Sequence, residues 1–179
     1  SAVTHQIADL VWDTCNFTGN GTTTNPQWAG IWAEDAGNTK NLKIVRGGFG
    51  LMREGIYSKA GGTLLLDKVE FGGITERCIY TQASAVDIRA VEAENTGASF
   101  LFSAGQLANN LVTGCSWESE GPADNVIIQV AGQLSVIGNT FGNYNKTVPP
   151  IIKVGNPTLF PAGNPTQTVT SIGNWYMNA

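Results

Sequence analysis

Two glutamates are candidates for acid–base chemistry. Glu70 and Glu94 each directly precede the last residue of two similar segments, LLLDKVEF (64–71) and IRAVEAEN (88–95). Glycosidases hold two carboxyl groups about 5–5.5 Å apart when they retain configuration and about 6.5–9.5 Å apart when they invert it. Stacked on neighbouring strands, Glu70 and Glu94 could reach either separation, and the like charges would raise one pKa, as a general acid requires. We predict Glu70 and Glu94 as catalytic candidates; the alternative is a solvated charge ladder in which Lys68 neutralises Glu70.

A second set of candidates lies in a series of short apolar segments, GIWAED (30–35), GIYSKA (55–60), CIYTQA (78–83) and SFLFSA (99–104). The aromatic residue of each segment follows an apolar residue that we expect to point inward, so the aromatic side chain should point outward. The outward aromatic residues are Trp32, Tyr57, Tyr80 and Phe102, and the polar residues two positions further on are Glu34, Lys59 and Gln82.

Aromatic faces beside polar groups suit the apolar faces and hydroxyls of sugar rings. We therefore predict substrate-binding roles for Trp32, Tyr57, Tyr80, Glu34, Lys59 and Gln82. The alternative is that the aromatic residues pack under a loop or against a second subunit, because large exposed apolar patches usually mark interfaces.

The composition excludes several other chemistries. The only histidine is His5, so histidine-rich metal sites are excluded, a Ser-His-Asp triad is improbable, and any catalysis should depend on carboxylates. The formal net charge is −4, unlike that of a protein that binds nucleic acid through basic patches. Cys15, Cys78 and Cys115 form neither an even disulfide framework nor a CxxC pair. We expect no metal, no cofactor, no nucleic-acid partner and no membrane insertion.

These candidates must be positioned by a repeated fold. Similar segments, most of which start with an apolar residue and end with an aromatic one, close at positions 49, 71, 95, 117 and 141, in steps of 22, 24, 22 and 24 residues. A βαβ unit needs about 30 residues, whereas one circuit of strands and corners fits this length. The sequence therefore predicts an all-β fold, a right-handed single-stranded parallel β-helix of about six to seven coils.

The repeat also predicts which positions point inward. Counted back from the closing residue, the seventh, fifth and second positions should face the core together with the closing aromatic residue. The inward positions are odd-numbered at the seventh and fifth but even-numbered at the second, and this parity slip indicates a corner or bulge between the fifth and second positions. We expect one domain over 1–179, with regular coils at about 8–154, loop insertions at 18–29 and 142–167, and a last coil strand at 168–179.

With this register, the sequence resembles the β-helical shafts of bacteriophage tailspikes and related receptor-binding proteins. The resemblance is carried by degenerate coils, by phrases such as VIGNTFGNY, VTGCSWES and LDKVEFGGI, and by a surface rich in small polar residues. It covers 8–154 and extends to 169–179 with less support. It implies a parallel homotrimer on the virion tail that binds, and often cleaves, host cell-surface polysaccharide.

The chain departs from a whole tailspike, because it has no recognisable head-binding domain, amphipathic capping helix or trimerisation tail. We therefore expect a fragment or a module of a longer protein. One alternative function is a non-catalytic structural or trimerisation module of a larger viral or secreted adhesion protein. Another is a secreted β-helical polysaccharide lyase, which the lack of pectate-lyase and polygalacturonase motifs disfavours.

Overall fold

The fold is built from two parallel β-sheets. The computed structural model describes residues 7–19, 27–33, 39–94, 99–105, 109–119, 126–143, 151–155 and 168–178. All regular secondary structure in these ranges is β-strand, so no helix that could cross a membrane occurs in them. Every strand pair is parallel and joins strands of successive circuits, which confirms the predicted all-β parallel β-helix.

The first sheet has twelve strands and the second has six. The first sheet contains β1 (Ile7–Asp13), β2 (Asn16–Thr18), β4 (Thr39–Gly50), β6 (Thr63–Gly72), β8 (Ala85–Arg89), β9 (Glu92–Glu94), β11 (Asn109–Thr113), β12 (Ser116–Ser119), β14 (Gln133–Ile137), β15 (Thr140–Asn143), β17 (Val169–Ile172) and β18 (Trp175–Asn178). The second sheet contains β3 (Gln27–Ala33), β5 (Met52–Ser58), β7 (Arg77–Thr81), β10 (Ser99–Ser103), β13 (Val126–Val130) and β16 (Ile151–Val154).

The core lies between the two sheets and is filled by columns of equivalent residues. In-register pairing places Leu42 against Leu64 and Ile44 against Leu66, and all four side chains are buried. The rings of Phe17, Phe49 and Phe71 stack with centroids 5.0 and 5.2 Å apart. Each circuit thus buries its apolar residues on its neighbours while its backbone pairs with the circuits on either side.

One corner of the first sheet has the same backbone conformation in every circuit. Seven equivalent residues at this corner have a positive φ between 47° and 63°. Five of them directly follow β1, β8, β11, β14 and β17, and two lie within β4 and β6. These residues are Thr14, Arg46, Lys68, Ala90, Gly114, Gly138 and Gly173. The corner lies between the fifth and second positions before the closing residue, where the sequence predicted a parity slip.

Two asparagines fill the same corner in the last circuits. The Asn139 side chain is buried; its Oδ1 accepts from the Cys115 N–H at 2.8 Å, and its Nδ2 donates to the Val112 carbonyl at 3.0 Å. Asn139 Nδ2 also donates to Asn174 Oδ1 at 2.9 Å. Backbone groups that the corner would otherwise leave buried without partners are therefore satisfied by side chains.

The predicted register is wrong in one circuit. Phe71 pairs with Ala93, and Ala93 pairs with Trp117, so Ala93 occupies the aromatic column that the sequence assigned to Asn95. The segment is therefore two residues out of phase with the prediction, and successive circuits in this region advance by 22 and 24 residues. The corner column accordingly continues from Lys68 to Ala90.

Parts of the predicted loop insertions are strands. Thr18 belongs to β2, and residues 27–29 begin β3. Likewise 142–143 end β15, and β16 lies within the second predicted insertion. Apart from Gly19 and Gly155, the remainder of both insertions lies outside the described residues.

Candidate functional site

The aromatic side chains of the second sheet form a continuous stack on its outer face, as predicted. The stack, called here the aromatic ladder, consists of Trp32, Tyr57, Tyr80 and Phe102. Its centroids are separated by 4.3, 4.6 and 5.5 Å, and adjacent rings are within 15° of parallel. The apolar residue directly before each ladder residue is buried and pairs in register with its equivalent on the next strand. This pairing fixes the positions of the four ladder rings.

Face-to-face stacking leaves unequal surfaces along the ladder. Tyr57 and Tyr80 have a ring on both faces, so each is only partly exposed. Trp32 ends the stack and is 48 % exposed, and Trp28 meets it edge to face at 4.6 Å while remaining 50 % exposed. The accessible aromatic surface is thus concentrated at the tryptophan end.

Trp28 was not among the predicted binding residues. The predicted loop insertion at 18–29 includes Trp28, whereas in the structure Trp28 lies in β3, four residues before Trp32. The available signal was the WxxxW spacing in QWAGIW, which becomes informative only when β3 is known to begin at Gln27.

Two arginines cover aromatic faces beside the ladder. The Arg53 guanidinium lies 5.1 Å from the Trp28 ring centroid. The Arg77 guanidinium lies 4.8 Å from the Tyr80 centroid and 5.7 Å from the Phe102 centroid. Such contacts combine cation–π attraction with planar stacking.

Each arginine is paired with a glutamate of the adjacent circuit. Arg53 of β5 donates through Nε to Glu76 at 2.8 Å, and Arg77 of β7 donates through Nε to Glu54 at 3.1 Å, while both Nη2 atoms reach the same carboxylates. We call Arg53, Glu54, Glu76 and Arg77 the charge quartet. The signs alternate within 53–54 and within 76–77 and also between these two pairs, so each charge is beside an opposite one.

The predicted polar residues beside the ladder have different outcomes. Gln82 donates through Nε2 to the Tyr80 hydroxyl at 2.9 Å, so it contacts the ladder. The Lys59 ammonium lies 5.6 Å from the Tyr57 centroid. Glu34 lies outside the described residues.

A separate groove of about 730 Å³ lies on the outer face of the first sheet. We call it the acidic groove. Its lining residues are Asn16, Phe17, Thr18, Gly48, Phe49, Gly50, Leu51, Glu70, Phe71, Gly72, Gly73, Glu92 and Glu94. Its volume is within the range of about 300–1,000 Å³ that ligand sites occupy.

Glycines leave the floor of the acidic groove open. Gly50 and Gly72 lie at outward positions, since the flanking Phe49 and Phe71 are buried. A Cβ at Gly72 would meet no atom within 4 Å, and one at Gly50 would meet only the Gly72 carbonyl oxygen at 3.6 Å. The groove therefore exists because these positions lack side chains.

Three glutamates line the acidic groove, but their pairing differs from the prediction. Glu70 pairs with Glu92 on the next circuit, whereas Glu94 pairs with Gly72. The expectation that Glu70 and Glu94 are direct neighbours in one column is wrong, because Ala93 rather than Asn95 continues the aromatic column. Glu92 was missed as a candidate for the same reason.

The carboxyl groups of the groove interact with one another. A hydrogen bond with the Glu94 side chain raises the pKa of Glu92, and partial desolvation together with the negative charges of Glu94, Glu70 and Glu118 raises it further. A carboxyl group whose pKa is raised by neighbouring carboxylates has a property that a general acid requires.

No group of three histidine, cysteine, aspartate or glutamate side chains suited to a metal ion is present among the described residues. Comparison of the chain with protein-family models, with curated proteins and with solved structures found no match.

Proposed function

We propose that the chain is a β-helix domain of the tailspike type that binds cell-surface polysaccharide at the tryptophan end of the aromatic ladder. The observation that carries this proposal is the pair Trp28 and Trp32, whose large rings are about half exposed on β3, a strand that pairs in register with β5. Exposed aromatic clusters of this kind usually mark binding surfaces. Because parallel strands hold both rings, the platform is preorganised and little conformational entropy is lost on binding.

The proposed biological setting follows the resemblance in sequence. The domain would act in a homotrimer on a virion tail, or in an extracellular adhesion protein if the source is not viral. The parallel β-helix fold and the outward aromatic ladder are compatible with that setting, and the partner is a polysaccharide of the host surface.

Substitution of the tryptophans tests the binding proposal. Trp28→Ala and Trp32→Ala should each weaken oligosaccharide binding at least ten-fold in isothermal titration calorimetry, with ligands chosen from a glycan array. Trp175→Ala is the matched control, because Trp175 is exposed on β18 of the other sheet. Equal affinity of all three variants and the unmodified protein would refute the proposal.

The competing structural role of the ladder gives a different result. If the ladder is buried between subunits, light scattering should detect an oligomer, acrylamide should fail to quench Trp28 and Trp32, and their replacement by alanine should dissociate it. Loss of saccharide binding with an unchanged oligomeric state favours the binding role.

A second candidate function, cleavage of the polysaccharide, is favoured by the acidic groove. We propose Glu92 as general acid and Glu70 as the partner carboxylate, with Glu94 maintaining the proton on Glu92. The in-register pairing of Glu70 with Glu92 supports this assignment, since paired backbones lie about 4.8 Å apart and free side chains can reach the separation that glycosidases use.

A further inference from the structure

Glu54 is an unusual residue for this position beneath the aromatic ladder. It is the only charged residue among the described ones that is completely shielded from solvent. One carboxylate oxygen accepts from Arg77, while Oε2 has no partner among the described residues. Burial of an incompletely paired carboxylate is unfavourable, and a well-packed apolar residue is often at least as stabilising at such a site.

Arg77 connects this buried carboxylate to the ladder. Its side chain is 27 % exposed, and its guanidinium lies against both Tyr80 and Phe102. A guanidinium restrained on one side by Glu54 keeps a fixed position over the rings, whereas an unrestrained one would sample several rotamers in solvent. The unfavourable burial of the Glu54 carboxylate is thus offset by the fixed position of Arg77 over the ladder rings.

The other groups around Glu54 leave Arg77 as its direct charged partner. Arg53 on the same strand and Glu76, directly before β7, pair with each other. On the opposite side, β3 contributes the uncharged Ala29 at the paired position. Protonation of Glu54 would therefore act first on Arg77.

We propose that Glu54 is a positioning residue of the saccharide-binding surface, acting by holding the Arg77 guanidinium across Tyr80 and Phe102. This inference rests on the binding function proposed above. Fixed by Arg77, the last two rings support the stack that ends in Trp32, so the orientation of the binding platform depends on a residue that no saccharide can touch.

The protonation of Glu54 gives this role a distinctive pH dependence. Burial raises the pKa of Glu54, although the hydrogen bond and charge of Arg77 oppose the shift. The charged form, which holds Arg77, is therefore lost at a higher pH than for an ordinary glutamate. The effect of Glu54 on the stability of the fold runs the other way with pH. Because its pKa is raised in the folded state, Glu54 stabilises the fold at low pH, and this stabilisation is lost as pH rises through the folded-state pKa. Acidification should thus loosen the ladder without weakening the fold through this group.

The test compares Glu54→Gln with the unmodified protein from pH 4 to pH 8. Near-ultraviolet circular dichroism, which senses the stacked rings without any saccharide, should follow a titration in the unmodified protein that Glu54→Gln lacks. At pH 8, Glu54→Gln should bind an oligosaccharide at least five-fold more weakly than the unmodified protein does. The affinity of Glu54→Gln should not change across the pH range of this titration. Its Tm at pH 8 should equal or exceed that of the unmodified protein. Asp87→Asn is the control, because Asp87 forms an exposed pair with Arg89 on the other sheet.

A second variant guards against misfolding. Arg77→Met should give the same loss of binding as Glu54→Gln, and the double variant should lose no more than either single one. Identical pH profiles in Glu54→Gln and the unmodified protein would overturn the positioning role, as would binding losses that simply follow losses in Tm. If the unmodified protein binds no oligosaccharide at any pH, the proposed function itself fails, whatever Glu54 does.

Discussion

The side chain of Asn139 is hydrogen-bonded to that of Asn174 across the corner of the last two circuits, with 2.9 Å between Nδ2 and Oδ1. Asn174 in turn donates to the Val136 carbonyl at 2.8 Å. The two carboxamides repeat the same interaction one circuit apart, so side chains continue the hydrogen bonding of the sheet where the backbone turns.

Asn139→Ala should lower the free energy of unfolding by about 2–4 kcal/mol, since the Cys115 N–H and the Val112 carbonyl would both lose buried partners. Asn109→Ala, at an exposed position of β11, should change it by less than about 0.5 kcal/mol. Chemical denaturation measures both values. Equal effects would mean that the corner carboxamide contributes no more than a surface side chain.

Ala90→Gly should stabilise the protein by about 1 kcal/mol. Ala90 has a φ of 47°, in the left-handed region that costs a residue with a Cβ roughly 1–2 kcal/mol and glycine almost nothing. The equivalent residues of later circuits, Gly114, Gly138 and Gly173, are already glycine.

Ala85→Gly in β8 is the control for this substitution, because the same change in a regular strand should destabilise by about 0.5–1 kcal/mol. Opposite signs for the two variants in urea denaturation are the expected result. A loss of stability in Ala90→Gly would show that the corner carries no strain.

Cleavage of a bound polysaccharide, measured as release of reducing ends, should be lost in Glu92→Gln and in Glu70→Gln. The rate should fall as pH rises through the pKa of Glu92, which its carboxylate neighbours raise above the usual glutamate value, because the general acid must be protonated. Glu94→Gln should move that alkaline limb to lower pH, since it removes a negative neighbour and changes the hydrogen bond that raises the pKa.

Gly72→Tyr provides an independent test of the acidic groove. Nothing lies within 4 Å of a Cβ at Gly72, so the ring can occupy the groove without displacing the core. It should abolish cleavage with little change in Tm. Full cleavage by Glu92→Gln, Glu70→Gln and Gly72→Tyr would remove the groove as the active site.

The ladder could be predicted from sequence because its rule is local. Each aromatic residue follows an apolar one, and alternation along a strand sends neighbours to opposite faces. Ile56 and Tyr57 illustrate this: the first is buried and the second stacks outside.

The pairing of the glutamates could not be predicted in the same way, because it depends on register between circuits. The aromatic column was the only marker of phase, and Ala93 interrupts it next to the large Trp117. A small residue beside a large one fills the core as well as two aromatic residues of intermediate size. The core is therefore filled at Ala93 although the sequence pattern of aromatic residues is interrupted there. The corner residues offered a second marker, since Lys68 and Ala90 are 22 residues apart.

The charge quartet has a consequence for how the chain assembles. If β7 paired one residue out of place on β5, either Arg53 would face Arg77 or Glu54 would face Glu76, and the buried carboxylate would lose its counter-ion. In a fold whose circuits have nearly the same shape, mispaired circuits are the natural folding error. Repulsion between like charges opposes that error where the third circuit pairs with the second. The quartet therefore favours the correct register of β7 on β5, and later circuits pair on strands that are already aligned.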